Sequence, residues 1–188
     1  GVLMKQSFDK AFLTPYPVFI VASYDENGKP NAMNAAWGGQ CGDKQVSICM
    51  SKHRTTDNLE KTKAFTISFA TVEQAAECDY VGIVSQDKVP DKMERCGWTF
   101  TKSDKVNASI IDQLPVAVEC KLVEIQHEFG DLRIVGEIVG MKADDSVLTD
   151  GKVDLGKLKP IMFDGAQLCY RSIGDSIGKA WNLGKKFM

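Results

Sequence analysis

The stretch "PNAMNAAWGG", Pro30 to Gly39, is unusual for a β-strand because it is small, partly polar and carries two asparagines. It follows the β-rich segment Val18–Tyr24 and a turn that contains Asn27-Gly28. An Asn-Gly pair between two apolar runs is a strong signal for a β-hairpin. We therefore expect residues 30–37 to return antiparallel to Val18–Tyr24. Small side chains in this return strand would let its backbone approach a flat ligand closely.

The rest of the chain also favours strands joined by local hairpins. "QVSICMS" (45–51) and "AFTISFA" (64–70) alternate apolar and polar residues, and 115–143 contains two long β runs around a turn at 127–131. Short helices are expected at 55–63, 72–84 and 90–98. Ile173, Ile177 and Trp181 lie four residues apart and indicate an amphipathic segment weakened by glycines. The sequence therefore predicts a mainly β fold, an antiparallel barrel or sandwich with short inserted helices.

Length and composition restrict the class of protein. The 188 residues suit a single domain, 1–188, and the net charge of −2 argues against a nucleic-acid partner. No apolar run is long enough to cross a membrane, so we expect a cytoplasmic protein. Six cysteines occur without a CxxC pair, and there are only two histidines, so no metal site is expected. Most cysteines are predicted to be small core residues, with a redox thiol as the alternative. Glu119, Glu124 and Glu137 are expected to face solvent.

The segment "SKHRTTDNLE" (51–60) is the best candidate for a ligand site. A strand is expected to end at Ser51 and a helix to begin near Asp57, with Asp57 as N-cap and Glu60 completing a capping box. The start of a helix presents unpaired N–H groups and attracts anions. The cations and hydroxyls at this position are Lys52, His53, Arg54, Ser51, Thr55 and Thr56. A phosphate site and a solvated basic turn both remain open on this segment alone.

Sequence patterns for common catalytic and nucleotide sites are missing. The chain contains no GxGxxG after a strand, no GxxxxGK[ST] and no GxSxG. His127 falls in the predicted turn at 127–131, where we expect it to be exposed to solvent. We therefore assign no acid, base or nucleophile, and the catalytic residues stay unknown.

Two blocks together resemble the flavin reductase-like, FMN-binding split-barrel family, and within it the flavoredoxin-like branch. They are "NAMNAAWGG" and, at the matching distance, "SICMSKHRTTDNLEKTKAFTISF". "DYVGIVSQDKVPDK" and "YRSIGDSIGKAW" are similar to later parts of that branch. The resemblance runs from Pro15 to Trp181 and rests on the order and spacing of the four blocks.

The resemblance implies an antiparallel Greek-key split β-barrel with short inserted helices, and FMN as the cofactor. The first block would contact the isoalloxazine and ribityl groups through Ala32, Met33, Asn34, Ala35, Ala36 and Trp37. The phosphate would lie at Ser51, His53, Arg54, Thr55 and Thr56. Two positions depart from the family pattern: Asn34 stands where the family usually has Thr, and Gln86 stands where a Gly is common.

The function that the resemblance implies is an FMN-binding oxidoreductase that passes electrons or hydride through the flavin. It would be either an NAD(P)H:flavin reductase or an electron-transfer protein of the flavoredoxin kind, with NADH or NADPH as a possible donor. A homodimer is implied as well. Two alternatives stay open: a non-catalytic flavin-binding or sensing protein, and a haem protein with His53 or His127 as axial ligand.

Overall fold

The structure is a computed structural model that describes residues 4–188, except for the side chain of Glu128. The expected domain 1–188 also includes residues 1–3, which lie outside the described residues. The strands are β1 (Tyr16–Pro17), β2 (Phe19–Tyr24), β3 (Pro30–Ala35), β4 (Gly38–Gln40), β5 (Gln45–Met50), β6 (Ala64–Phe69), β7 (Phe100–Lys102), β8 (Ser109–Ile111), β9 (Val116–Glu128), β10 (Asp131–Ala143), β11 (Leu148–Thr149), β12 (Lys152–Val153), β13 (Ile161–Asp164) and β14 (Cys169–Ser172).

The helices are short, as the sequence predicts. They are α1 (Arg54–Thr62), α2 (Ala75–Ile83), α3 (Lys92–Arg95) and α4 (Leu155–Leu158), with 3₁₀ turns at Asp145–Val147 and Leu183–Phe187. No helix within residues 4–188 is long and apolar enough to span a bilayer.

Seven strands form one curled sheet in the order β3-β2-β6-β9-β10-β5-β4, and every neighbouring pair in it is antiparallel. Strands distant in sequence therefore lie side by side, as in a Greek key. A smaller sheet, β1-β13-β14, lies next to it and pairs Tyr16 with Phe163. The predicted antiparallel split β-barrel with short inserted helices is confirmed.

The hairpin of β2 and β3 forms where the Asn-Gly pair predicts it. Tyr24 pairs with Pro30 and Ile20 with Asn34, so the return strand has the expected register. Gly28 takes a φ of +79°, a conformation that favours glycine. The Asp25 carboxylate accepts the N–H groups of Asn27 and Lys29, which closes the turn. The strand ends at Ala35, so Trp37 lies just beyond it.

The core consists of buried clusters that join the large sheet to the helices. One buried cluster contains Phe65, Ile48, Ile134 and Leu59, so α1 packs through its apolar face against the large sheet. A second cluster joins Ile20 and Val18 to the α2 residues Cys78 and Val81. At roughly 25 cal/mol per Å² of buried apolar surface, such clusters provide most of the favourable free energy of folding.

The expectation that Glu119 faces solvent is wrong. Its side chain is completely buried and lies beside Lys142, whose Nζ donates to both carboxylate oxygens at 2.7 and 2.8 Å. The Ser103 hydroxyl donates to the same carboxylate. A carboxylate tolerates burial only when its charge is paired and hydrogen-bonded, and these partners provide both. Glu124 and Glu137 are exposed, as predicted.

Two further expectations need correction. Ile177 and Trp181 do not lie on an amphipathic helix: after β14 the chain is irregular until the 3₁₀ turn at Leu183–Phe187, and both side chains are exposed. The cysteines are not mostly core residues. All six are free, two are buried (Cys78 and Cys120), two are intermediate (Cys96 and Cys169) and two are exposed (Cys41 and Cys49).

Candidate functional site

A cavity of about 950 Å³ opens beside β3. Its walls are β3 and the residues that follow it, the end of β5, the start of α1, the end of α2 and the loop to α3. Asp131 on β10 and rings of the small sheet complete the lining. A single cavity of this size, with both apolar and polar walls, is the expected form of a cofactor site.

The sequence-predicted residues meet around this cavity. It is lined by Met33, Asn34, Ala35, Ala36, Trp37, Ser51, His53, Arg54 and Thr55. The two remaining predicted residues do not line it. The side chain of Ala32 points into the core, and Thr56 is buried under the first turn of α1.

Asn34 has a structural task that the sequence did not reveal. Its Nδ2 donates to the carbonyl oxygen of Cys78 on α2 at 3.1 Å. Gly82, one turn later on the same helix, lies so close that a Cβ there would be 2.8 Å from the Cβ of Asn34. The amide donor of Asn34 is therefore used to hold α2 against β3, and its Oδ1 is left to face other partners.

The helix α1 begins earlier than predicted, and Asp57 is not its N-cap. The cap is His53, in an extended conformation (φ −161°), and the Thr56 hydroxyl oxygen accepts the His53 backbone N–H at 3.1 Å. The predicted pairing of Asp57 with Glu60 is therefore replaced by one between His53 and Thr56. Thr55 Oγ1 is buried and has no hydrogen-bond partner in the described part of the chain. It lies at the anion-attracting end of a nine-residue helix.

Arg54 is already engaged by two carboxylates. Its guanidinium lies 2.8 Å from Asp87 and 3.4 Å from Asp25. Burial opposes ionisation of Asp25, but the N–H groups of Lys29 and Asn27 and the charge of Arg54 together lower the pKa of this carboxyl. A phosphate near Arg54 would therefore share the guanidinium with these anions.

Lys92 is the cation that sequence reasoning missed. Its side chain is only 2% exposed, lines the cavity, and donates from Nζ to the carbonyl oxygen of Ala32 at 2.7 Å. Within residues 4–188 no carboxylate lies within ion-pair distance of Nζ. Burial lowers the pKa of Lys92 from 10.5 to about 8. Burial also lowers the pKa of His53, and the positive charge of Lys92 lowers it further.

Two buried amides accompany Lys92. Gln86 donates from Nε2 to the carbonyl oxygen of Pro30 at 3.2 Å, while its Oε1 has no partner among the described residues. Asn31 Oδ1 is buried and unpartnered in the same part of the structure. The usable signal for Gln86 and Lys92 was the block "DYVGIVSQDKVPDK", which ends at Lys92.

Four rings also line the cavity: Tyr16, Trp37, Phe163 and Tyr170. Ring centroids lie 5.0 Å apart for Tyr16 and Trp37, 6.2 Å for Tyr16 and Phe163, and 6.1 Å for Phe163 and Tyr170. We call these four residues the aromatic row. None of them except Trp37 was singled out from the sequence.

The geometry does not favour a metal or haem site. No cluster of three or more His, Cys, Asp or Glu able to hold a metal occurs within residues 4–188. His127 is on β9 and exposed, and it is not among the cavity-lining residues. His53 lines the cavity as the N-cap of α1, where the unpaired N–H groups of the helix attract anions.

The donor set fits FMN. One end of the cavity offers a helix start, an unpartnered hydroxyl and a buried ammonium, which together suit a phosphate. The wall along Ala35 and Ala36 has small side chains, which suits a flat ring system near the backbone. The unpartnered oxygens of Asn31 and Gln86 are hydrogen-bond acceptors of the kind that a ribityl chain, with its hydroxyl donors, would satisfy.

Comparison with known proteins agrees with this geometry. Flavoredoxin of Desulfovibrio vulgaris (Miyazaki F) is 32% identical, with a TM-score of 0.91 over 97% of this chain and 100% of that one. Flavoredoxin from Methanosarcina acetivorans is 24% identical, with a TM-score of 0.90 and full coverage of both chains. An FMN-binding domain of a flavin reductase-like enzyme from Shewanella baltica OS155 is 20% identical, with a TM-score of 0.73 over 87% and 88% of the two chains. Residues 11–169 match the flavin reductase like domain. The chain therefore belongs to the flavin reductase-like family.

Proposed function

We propose that this protein is an FMN-dependent oxidoreductase that passes electrons or hydride through the flavin held in the cavity beside β3. FMN is the cofactor, in agreement with the family and with the donor set of the site. The phosphate lies at the start of α1, near Ser51, His53, Arg54 and Thr55. The isoalloxazine and ribityl groups lie along the residues from Ala32 to Trp37.

The observation that carries this proposal is the buried ammonium of Lys92. An isolated charge in a protein interior is costly, so it needs an anion or strong hydrogen-bond acceptors. The Ala32 carbonyl provides one acceptor at 2.7 Å, and the cavity lies on the open side. An anionic cofactor would provide the missing charge and would also satisfy the Thr55 hydroxyl.

The side chains of the site would bind and orient the cofactor. FMN, when bound, supplies the redox chemistry. Lys92 and the α1 N–H groups would fix the phosphate, and the small residues of β3 would set the distance between ring and backbone. Asn34 would keep α2 in place over the ring through its bond to Cys78. No described residue is assigned as acid or base.

Within this proposal the flavin is a tightly held prosthetic group, and the protein is an electron carrier of the flavoredoxin kind. The 32% identity to a flavoredoxin over almost the whole chain supports this choice. The buried position of Lys92 supports it too, because a charge-assisted hydrogen bond away from water is strong. NADH or NADPH is the proposed electron donor.

The proposal includes a homodimer in the cytoplasm. Large apolar side chains of both terminal segments are exposed, among them Phe8, Leu13, Ile177 and Trp181, and a second copy would cover such a surface. Six free cysteines suit a reducing compartment.

The test is an absorption spectrum of the purified protein before and after addition of FMN, followed by filtration. Flavin peaks that stay with the protein support a prosthetic group. Flavin that washes through but is rapidly reduced when NADH is supplied would make the protein a flavin reductase instead. If flavin is retained but neither NADH nor NADPH reduces it anaerobically, the proposed donor is wrong. The protein is then better described as a non-catalytic flavin-binding protein. If no flavin is retained or reduced, the proposed function is refuted.

A further inference from the structure

The segment between α2 and α3 forms one wall of the cavity and is fastened to the hairpin of β2 and β3. We call residues 84–91 the strap. Its residues that line the cavity are Val84, Ser85 and Gln86. Gln86 Nε2 donates to the carbonyl oxygen of Pro30 at 3.2 Å, and Lys29 Nζ donates to that of Pro90 at 2.7 Å. The strap is therefore held against the hairpin at two points along its length.

An ion pair joins the strap to the start of α1. Arg54 is the first residue of that helix, lines the cavity, and lies 2.8 Å from Asp87 of the strap. The side chain of Arg54 is 36% exposed and that of Asp87 is 56% exposed, so the pair reaches solvent. Because it connects two walls of the cavity and is partly exposed, the pair lies at the rim. The N–H groups of α1 that attract a phosphate are next to it.

The same rim carries two carboxylates. Asp25 is only 8% exposed and lies 3.4 Å from the second amino group of Arg54, so the guanidinium is shared between Asp25 and Asp87. Burial favours the neutral form of Asp25, but its hydrogen bonds to the turn and its ion pair lower the pKa of this carboxyl. Asp25 is therefore negatively charged near neutral pH. A further anionic group at the rim would be repelled by both carboxylates.

FMN and flavin adenine dinucleotide (FAD) differ at the phosphate. FMN ends in a phosphate monoester, which carries roughly 1.5 to 2 negative charges at pH 7. In FAD the same phosphate is linked to a second phosphate and adenosine, so the molecule continues beyond the phosphate site. From the start of α1 that continuation meets the strap and the ion pair. The second phosphate would then approach the carboxylates of Asp25 and Asp87.

We propose that the strap, fastened to α1 by the ion pair of Asp87 with Arg54, makes the site selective for a flavin mononucleotide and excludes the dinucleotide. The terminal phosphate of FMN fits at the start of α1 without disturbing the pair. FAD would have to open the pair and bring a second phosphate against two carboxylates. This inference rests on the proposed function, because it names the class of flavin that the same site accepts. Asp87 determines specificity and takes no part in the redox chemistry.

The experiment is a competition between FMN and FAD. Purified protein is dialysed against an equimolar mixture of the two flavins, and the retained flavins are released by denaturation and separated by chromatography. The ratio of retained FMN to retained FAD measures relative affinity and does not depend on how much of the protein is folded. We expect the wild type to favour FMN by at least roughly a hundredfold, because displacement of an ion pair and repulsion by two carboxylates both oppose FAD.

Two substitutions weaken the barrier without changing a residue that lines the cavity. Asp87→Asn removes one charge and weakens the ion pair, and we expect the ratio of FMN to FAD to fall roughly tenfold. Lys29→Met removes the hydrogen bond to Pro90 and should change the ratio in the same direction. Asp91→Asn is the matched control and should leave the ratio unchanged. Asp91 is an exposed carboxylate at the end of the strap, is paired with Arg95 and does not line the cavity.

Other outcomes separate this inference from the proposed function. Wild-type protein that retains FAD as well as FMN refutes the selectivity and leaves the flavin site standing. A ratio that is unchanged in Asp87→Asn, or that falls equally in Asp91→Asn, would overturn the role of Asp87. Loss of both flavins in equal proportion from Asp87→Asn would overturn it too, because Asp87 would then support only the structure of the site. Wild-type protein that retains neither flavin refutes the proposed function itself.

Discussion

Replacement of Lys92 by methionine should have opposite effects on the empty and the FMN-loaded protein. Methionine has a similar length and no charge, so the substitution removes the ammonium while largely keeping the volume. In the empty protein the buried ammonium lowers the free energy of unfolding. In the loaded protein the same ammonium contacts the anionic cofactor and raises the affinity for FMN.

The magnitude follows from the pKa of Lys92. Burial lowers it from 10.5 to about 8, and at about 1.4 kcal/mol per pKa unit the charged form loses roughly 3 kcal/mol on folding. Loss of the hydrogen bond to Ala32 opposes this gain by about 1 kcal/mol. We therefore expect Lys92→Met to raise the free energy of unfolding of the empty protein by about 2 kcal/mol at pH 7.

The effect depends on pH in a defined direction. A lysine whose folded pKa is depressed destabilises the folded state fully below its folded pKa and not at all above its unfolded pKa. The destabilisation of the folded state by charged Lys92 is therefore complete below pH 8 and disappears as the pH rises to 10.5. Over that interval the stability of the wild type should rise relative to that of Lys92→Met.

Urea unfolding of the empty proteins at pH 7 and pH 10 measures the first effect, and fluorescence titration with FMN measures the second. Affinity for FMN should fall by about 1.5–3 kcal/mol, the range for a lost hydrogen bond to a charged group. Lys88→Met is the control, because Lys88 is an exposed lysine four residues before Lys92. A variant that is less stable than the wild type at pH 7 and binds FMN equally well would refute the reasoning.

Three further changes test other parts of the structure. Arg54→Ala should weaken FMN binding by only about 1 kcal/mol, because two carboxylates already hold the guanidinium; a loss as large as that of Lys92→Met in the same titration would contradict this. Gly82→Ala should destabilise the protein by about 1–3 kcal/mol in urea unfolding, because its Cβ would meet Asn34 at 2.8 Å; an unchanged unfolding midpoint would show that α2 moves freely. Lys142→Met should cost about 3 kcal/mol, because it leaves the buried Glu119 carboxylate without its cation, and unfolding no easier than for the wild type would be evidence against that pairing.

The fold was predictable because its signals are local. The Asn27-Gly28 turn fixes the hairpin of β2 and β3, and alternating residues define β5 and β6. The start of α1 was also found within a few residues, although the cap is His53 rather than Asp57. Both residues are polar and precede the same apolar stripe, so the sequence alone does not distinguish them.

The features that could not be predicted from the sequence depend on contacts between residues that are distant along the chain. Lys92 reaches Ala32 across 60 positions, and Glu119 is buried only because Lys142, 23 positions away, pairs with it. The terminal segment with Ile177 and Trp181 has helical spacing, but its glycines lower its helix propensity. In the described part of the chain its apolar side chains also pack against no apolar surface, so tertiary contacts do not stabilise a helix there. Periodicity predicts a helix only when such a surface is present.

The close approach of Gly82 to Asn34 has a consequence for how this protein can evolve. The atom that Gly82 would strike is the Cβ of Asn34, which every residue other than glycine carries. Exchange of Asn34 for Thr would therefore not free position 82 to change. A larger residue at position 82 would displace Asn34 or move α2 away from β3, and either change would alter the width of the cavity.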